Sequence, residues 1–282
     1  MKVTVAKSAG FCFGVKKAVD IVYDLADKEE GPIYTYGPII HNENVVDDLK
    51  KKGVEIINTI EEARNIKNGI VVIRSHGITK SEYEGLKSAG HKVVDATCPF
   101  VKKIHDSVYE ESKKGSHIII IGDDKHPEVL GIKGWVCGKV SVISDEKDID
   151  RLKLVEKERV FVVSQTTFNY NKFEYLVEKL KNLSYDIIVF NTICNATSVR
   201  QKEAIQIAEK VDAMIVIGGK HSSNTQKLYE ICKSRCENTC YIQELVDLDL
   251  NELKSIGSVG ITAGASTPNN IIKEVQTHVR KF

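Results

Sequence analysis

Residues 97–126 begin Thr97-Cys-Pro-Phe-Val-Lys-Lys103, run through a helical pattern to Lys114, and continue as His117-Ile-Ile-Ile-Ile121 and Gly122-Asp-Asp-Lys-His126. A cysteine loop opens an amphipathic helix, the helix gives way to an unbroken apolar run, and that run ends in a loop from Gly to His. The same order occurs twice more. Cys12 lies in Phe11-Cys-Phe-Gly-Val-Lys-Lys17 and is followed by Gly37-Pro-Ile-Ile-His41; Cys194 lies in Ile193-Cys-Asn-Ala-Thr-Ser-Val-Arg200 and is followed by Gly219-Lys-His221. A third loop type comes next each time, as Arg74-Ser-His-Gly77, Ser164-Gln-Thr-Thr167 and Ala263-Gly-Ala-Ser-Thr267. Three loop types in one order at near-equal spacing mark an internal repeat of roughly 90 residues.

Working outward, short aliphatic runs alternate with amphipathic stretches along the whole chain. Ile70–Ile73, His117–Ile121, Arg159–Val163, Asp186–Phe190, Met214–Ile217 and Val259–Thr262 read as strands. Lys16–Asp27, Val101–Lys114, Lys172–Lys181, Gln201–Glu209 and Thr225–Lys233 read as helices. Continuous apolar strands separated by helices predict parallel sheets covered on both faces, an α/β class. The repeat predicts three α/β units: 14–97, 98–191, and 192–282 with the N-terminal strand 1–13 added to it. Three such units about a pseudo-threefold axis would bring Cys12, Cys98 and Cys194 together. Sites in such folds lie beyond the carboxyl ends of the strands, where these loops fall.

Composition narrows the function classes. The chain has 282 residues, with 42 % hydrophobic, 28 % charged and only 5 Pro, as expected of a packed globular protein. Lys plus Arg number 40 against 39 Asp plus Glu, a balance that gives no basic footprint for nucleic acid and no polybasic membrane patch. The longest aliphatic run, Ile118–Ile121, is far short of the roughly 20 residues of a membrane helix. The N-terminus lacks the apolar core of a signal peptide, so the cytoplasm is the expected compartment. Seven cysteines in a reducing compartment read as thiols or metal ligands rather than disulfides.

Three converging thiolates suit an iron–sulfur cluster with one iron left open, which could act as a Lewis acid toward a substrate oxygen. Structural zinc normally takes four ligands, often in close pairs, and that spacing is absent. Buried cysteines acting as small hydrophobes are the bland alternative. A rival cluster set, Cys232, Cys236 and Cys240, is spaced C-x3-C-x3-C, one residue longer than the C-x3-C-x2-C of radical S-adenosylmethionine enzymes, and otherwise reads as a packed helix face or incidental surface thiols; Cys137, after Trp135, reads as core. His41, His76, His126 and His221 occupy loop positions at strand ends. Glu128, in His126-Pro-Glu128, is the carboxylate beside a candidate histidine and the natural proton donor. His91, His105, His117 and His278 read as structural or surface groups. His221-Ser-Ser-Asn224 and Ser266-Thr-Pro268 each precede a helix; they serve as ordinary caps or as phosphate sites. No P-loop or dinucleotide fingerprint is present, so a nucleotide is not implied. A reductase, a hydro-lyase using an open iron, and an electron carrier with a fully ligated cluster all remain open at this point.

The quoted loops, with Gly10-Phe-Cys-Phe-Gly-Val, Asp95-Ala-Thr-Cys-Pro and Asn191-Thr-Ile-Cys-Asn-Ala-Thr, resemble the 4-hydroxy-3-methylbut-2-enyl diphosphate reductase family over essentially the whole chain. The resemblance implies a cloverleaf of three α/β units around a [4Fe–4S] cluster held by Cys12, Cys98 and Cys194, with one iron open. It implies that His41, His76, Ser222, Ser223, Asn224 and Ser266 hold a diphosphate with His126 close by, and that Glu128 and Thr166 form the proton path. It further implies reduction of the family's substrate to isopentenyl and dimethylallyl diphosphates by electrons from an external carrier, ferredoxin or flavodoxin.

Overall fold

Strands whose every residue is apolar can be buried on both faces, and they occupy the middle of their sheets. The structure, a computed structural model, describes residues 1–28, 31–66, 68–152, 154, 158–183, 186–249, 253 and 256–281. Among these, three four-stranded sheets form, and all their ladders are parallel. The first in chain order contains β2 (Ile33–Tyr36), β3 (Val54–Ile57), β4 (Ile70–Ile73) and β5 (Lys92–Asp95), arranged β3-β2-β4-β5. The second contains β6 (His117–Ile121), β7 (Val140–Ile143), β8 (Arg159–Ser164) and β9 (Asp186–Val189), arranged β7-β6-β8-β9. The third contains β10 (Ala213–Ile217), β11 (Thr239–Ile242) and β12 (Ser258–Ala263), arranged β11-β10-β12, with β1 (Lys2–Val5) beside β12. Strand order is therefore the same in all three, with the opening strand of the chain taking the fourth place in the last.

That placement gives the cysteine loops a common origin. Each fourth strand runs into a cysteine and then a helix: β1 into Cys12 and α1 (Phe13–Asp27), β5 into Cys98 and α5 (Pro99–Lys113), β9 into Cys194 and α9 (Asn195–Ala208). The helices start earlier than their apolar periodicity does, because their first turns carry small, polar or Pro residues that belong to the loop pattern. Pro99 suits the first helical position, where its missing N–H is not needed.

The chain divides into two compact units: Met1–Lys16, Ile40–Asp48 and Cys194 onward form one, and Lys17–Ile39 with Leu49–Ile193 the other. In the first, one face of the third sheet (Ile215, Ile217, Val259, Ile261) packs on Ile271, Ile272, Val275 and Val279 of α11 (Asn269–Lys281). The other face (Met214, Val216) packs on Ala204 and Ala208 of α9 and on Leu228 and Cys232 of α10 (Ser223–Lys233). In the second unit, alternate residues of β6 and β8 split in the same way. Ile119, Ile121, Val160 and Val162 meet Phe173, Leu176 and Leu180 of α8 (Tyr170–Lys181), while Ile118, Ile120 and Val163 meet Ile104 and Val108 of α5 and Val129 and Ile132 of α6 (Pro127–Lys133). Each such fully buried aliphatic side chain contributes about 1.5–3 kcal/mol, so these layers hold the strand ends firmly.

Candidate active site

The cysteine loops are braced by their own sequences. Cys98 and Cys194 are the residues immediately before α5 and α9, and neither thiol makes a side-chain capping bond to its helix. Three residues before each cysteine, a short polar side chain turns the chain: the Thr97 N–H donates to Asp95 Oδ1 at 3.0 Å and the Ile193 N–H to Asn191 Oδ1 at 3.0 Å. Burial works against ionisation of Asp95, but hydrogen bonds from Thr97 and from the Lys102 ammonium at 2.9 Å outweigh it and hold its carboxyl below the usual range. The Cys12 loop is held differently. Glu203 on α9 accepts from the N–H groups of Lys7 (2.8 Å) and Ser8 (2.9 Å), and Arg200 donates to the carbonyls of Ser8 and Gly10. The Cys12 N–H donates to Ala265 O at 3.2 Å.

A carboxyl group lies sealed in the second unit. Glu128, only 2 % exposed, sits in the first turn of α6 behind its cap His126, whose Nδ1 accepts the Glu128 N–H at 3.1 Å. Its two oxygens are taken by one residue of the β8 loop: Oε1 accepts the Thr166 N–H at 2.6 Å and Oε2 the Thr166 hydroxyl at 2.8 Å. The His76 ring stands edge-on to that of His126, with centroids 5.7 Å apart. Burial pushes the Glu128 pKa up, against the opposing pull of the two Thr166 bonds. The group is thus poised to carry a proton at a pH where an exposed glutamate could not.

The raised pKa has a consequence for stability. An unfolded glutamate titrates near about 4.3, and a higher folded value means that ionisation lowers stability as pH climbs from there through the folded pKa, levelling off above it. Glu128→Gln carries no such liability. The variant's melting temperature relative to the parent is expected to improve from pH 4 to pH 8 in parallel thermal scans. A difference that stays flat across that range would contradict the raised pKa.

In the first unit, α10 presents its N-terminus with a built polar mouth. Ser222 caps the helix by accepting the Thr225 N–H at 3.3 Å, and Ser266 Oγ donates to the His41 carbonyl at 3.0 Å. Gly218 permits a close approach: a Cβ there would stand 2.4 Å from Thr225 Oγ1. Asn224 is 5 % exposed, yet neither its amide nitrogen nor its oxygen has a hydrogen-bond partner among the described residues. A buried polar side chain in that condition beside a helix N-terminus suits an anion. His221 differs from the other loop histidines: its side chain is 82 % exposed and stands 3.9 Å from Glu43.

The structure thus groups Cys12, Cys194, His41, Ser222, Ser223, Asn224 and Ser266 in one unit, and Cys98, His76, His126, Glu128 and Thr166 in the other. Cys137 is exposed rather than core; the half-buried indole of Trp135 packs against the core instead, stacked on His105 at 5.4 Å. His105 is buried, with its pKa pushed down to about 4 by burial. Its ring lies against Gly77 (φ +74°), where a Cβ would approach it to 2.5 Å, so it supports the turn that bears His76. Cys232 and Cys236 pack in the core of the first unit, and burial pushes the Cys232 thiol up to about 12. Among the described residues no three His, Cys, Asp or Glu side chains stand together as a preformed metal site. Arg200, at the end of the Cys194 loop pattern, and Glu203 take from the structure a role in holding the Cys12 loop. Their i, i+3 spacing on one helix face was the available signal.

Three parallel sheets of one strand order, with a cysteine before the helix after each fourth strand and a buried acid in the first turn of α6, define an α/β enzyme of repeated architecture. A family model described as LytB protein matches residues 3–280, and the chain belongs to that family. It is 46 % identical to the 4-hydroxy-3-methylbut-2-enyl diphosphate reductase of Caldanaerobacter subterraneus, covering 100 % of this chain and 98 % of that one. It is 45 % identical to the protein of the same name in Clostridioides difficile, over 100 % of both. Among solved structures it is similar to an (E)-4-hydroxy-3-methyl-but-2-enyl diphosphate reductase described as the terminal enzyme of the non-mevalonate pathway, with 40 % identity, TM-score 0.72 and full coverage of both chains. It is also similar to the E-1-hydroxy-2-methyl-but-2-enyl-4-diphosphate reductase of Plasmodium falciparum, with 30 % identity, TM-score 0.92, and coverage of 98 % of this chain and 87 % of that one.

Proposed function

We propose that this protein reduces 4-hydroxy-3-methylbut-2-enyl diphosphate to isopentenyl and dimethylallyl diphosphates. The observation that carries the reading on this chain's own residues is the sealed Glu128–Thr166 pair, a proton donor held where water is excluded. The reaction breaks the carbon–oxygen bond of the substrate's hydroxyl. It consumes two electrons and two protons, one proton leaving with the hydroxyl as water and the other ending on carbon.

Cys12, Cys98 and Cys194 are proposed to hold one [4Fe–4S] cluster, and the residues present fit such a group. Two of the thiols precede helix N-termini without capping them, where the dipole favours thiolate. The buried Arg200 guanidinium donates to the Ser8 and Gly10 carbonyls of the loop that leads to Cys12, and its Nη1 has no partner among the described residues. When bound, the cluster would supply electrons singly and an iron without a protein ligand. The protein's own groups do the rest. His41, His76, Ser222, Ser223, Asn224 and Ser266 are assigned to the diphosphate, with His126 beside it. Thr166 orients the substrate hydroxyl and passes it the proton that Glu128 holds at its carboxyl oxygen. The domain division 14–97, 98–191 and 192–282 with strand 1–13, the cytoplasmic location, and ferredoxin or flavodoxin as donor complete the proposal. Among the described residues no helix is long and apolar enough to cross a membrane.

Asn224→Ala tests the diphosphate assignment. A hydrogen bond to a charged group is worth about 1.5–3 kcal/mol, so KM is expected to rise roughly 10- to 100-fold with a smaller change in kcat. Because the amide atoms have no protein partner among the described residues, the melting temperature is expected to hold. A fall in stability with unchanged KM would remove Asn224 from the substrate's contacts.

A further inference from the structure

Arg200 and Glu203 stand on one face of α9 and grip the loop that leads to Cys12. Glu203 takes the N–H groups of Lys7 and Ser8 and the Ser8 hydroxyl, so its charge is spent on that loop. Arg200 directs Nε to the Ser8 carbonyl at 2.9 Å and Nη2 to the Gly10 carbonyl at 2.6 Å. Its Nη1 has no acceptor among the described residues, although Arg200 is only 3 % exposed. A buried charged N–H left unpaired is costly and is retained where something completes it.

We propose that Arg200 is a positioning residue for the cluster: it locks the Cys12 loop to the helix that Cys194 precedes, and keeps a buried positive charge and an unpaired Nη1–H beside that loop. The inference rests on the reading of Cys12, Cys98 and Cys194 as cluster ligands. Two effects follow. A charge fixed in a dry site acts at short range with little screening, and it favours the state with the extra electron, so it raises the reduction potential. The three-way fork, which a lysine ammonium cannot reproduce, slows loss of iron by keeping the loop in place.

The experiment uses full-length protein reconstituted anaerobically with iron and sulfide, as wild type, Arg200→Gln and Arg200→Lys. Midpoint potentials are read by electron paramagnetic resonance during redox titration, and iron loss by its rate of transfer to a chelator. Arg200→Gln is expected to hold an electron about tenfold less well, a fall of about 59 mV for a one-electron couple. Arg200→Lys is expected to keep the wild-type potential while releasing iron about tenfold faster. Full iron in Arg200→Gln with a wild-type potential overturns the proposal, since a merely structural arginine would leave the potential alone. Should Arg200→Gln fail to hold iron, Arg200→Lys decides: faster release at unchanged potential supports the assignment, and wild-type retention overturns it. A wild-type protein that takes up no iron overturns instead the cluster reading beneath it.

Discussion

Glu128→Gln is expected to lower turnover by about 10²- to 10⁴-fold, the usual worth of a positioned general acid, with iron content and fold intact. The geometry gives the reason. Both carboxyl oxygens are already directed at Thr166, and the first turn of α6 packs into the sheet core, so the substitution moves no neighbour. Glutamine keeps the shape and can still accept from the Thr166 N–H, but it has no proton to give. Thr166→Val, which keeps volume and removes the hydroxyl, is expected to lose a comparable share of kcat, and the double variant little more than either alone, because the two act as one path. Steady-state kinetics on iron-matched preparations reads both. Turnover within threefold of the parent for Glu128→Gln would take the residue out of the proton path.

Serine in place of Cys12, Cys98 or Cys194 is expected to remove most of the bound iron in each case and to abolish turnover. Serine at Cys232, Cys236 or Cys240 is expected to leave iron unchanged. The two sets differ in surroundings rather than in residue type. The first three are half-buried in loops after the fourth strands, with braced backbones. Cys232 and Cys236 lie among Ala204, Met214 and Leu228, where burial keeps the Cys232 thiol protonated. Serine there instead places a hydroxyl in an apolar core, costing about 1–3 kcal/mol, so a lowered melting temperature with full iron is the expected outcome. Iron analysis and visible absorption distinguish the cases. Full iron after loss of any one of the first three thiols would contradict the ligand set.

How the sequence encodes this fold depends on which strands are buried. Ile70–Ile73 and His117–Ile121 were legible because central parallel strands are apolar on both faces, and they occupy central positions in their sheets. The edge strands Val54–Ile57, Val140–Ile143 and Thr239–Ile242 carry Glu, Ser and Thr and are only partly buried, so their apolar runs are too broken to stand out. The repeat of cysteine, histidine and third-type loops was legible from order and spacing, and the three identical strand orders are its physical counterpart. Contacts between distant segments were not. Glu128 and Thr166, paired in the sequence only through the family resemblance, meet across two elements, and Arg200 reaches Ser8 across most of the chain with only its i, i+3 spacing to Glu203 as a local sign. The exposure of Cys137 is hidden from the sequence for a related reason: an apolar neighbour such as Trp135 tells little about a residue two positions later.

The most direct test of the account is anaerobic turnover of 4-hydroxy-3-methylbut-2-enyl diphosphate by the reconstituted protein, with a reduced one-electron viologen dye as donor and iron counted on the same sample. About four irons per chain, two dye electrons consumed per substrate, and isopentenyl and dimethylallyl diphosphates with water as the products are expected. Substrate left intact by iron-replete protein, or consumed without oxidation of the dye, would contradict that expectation.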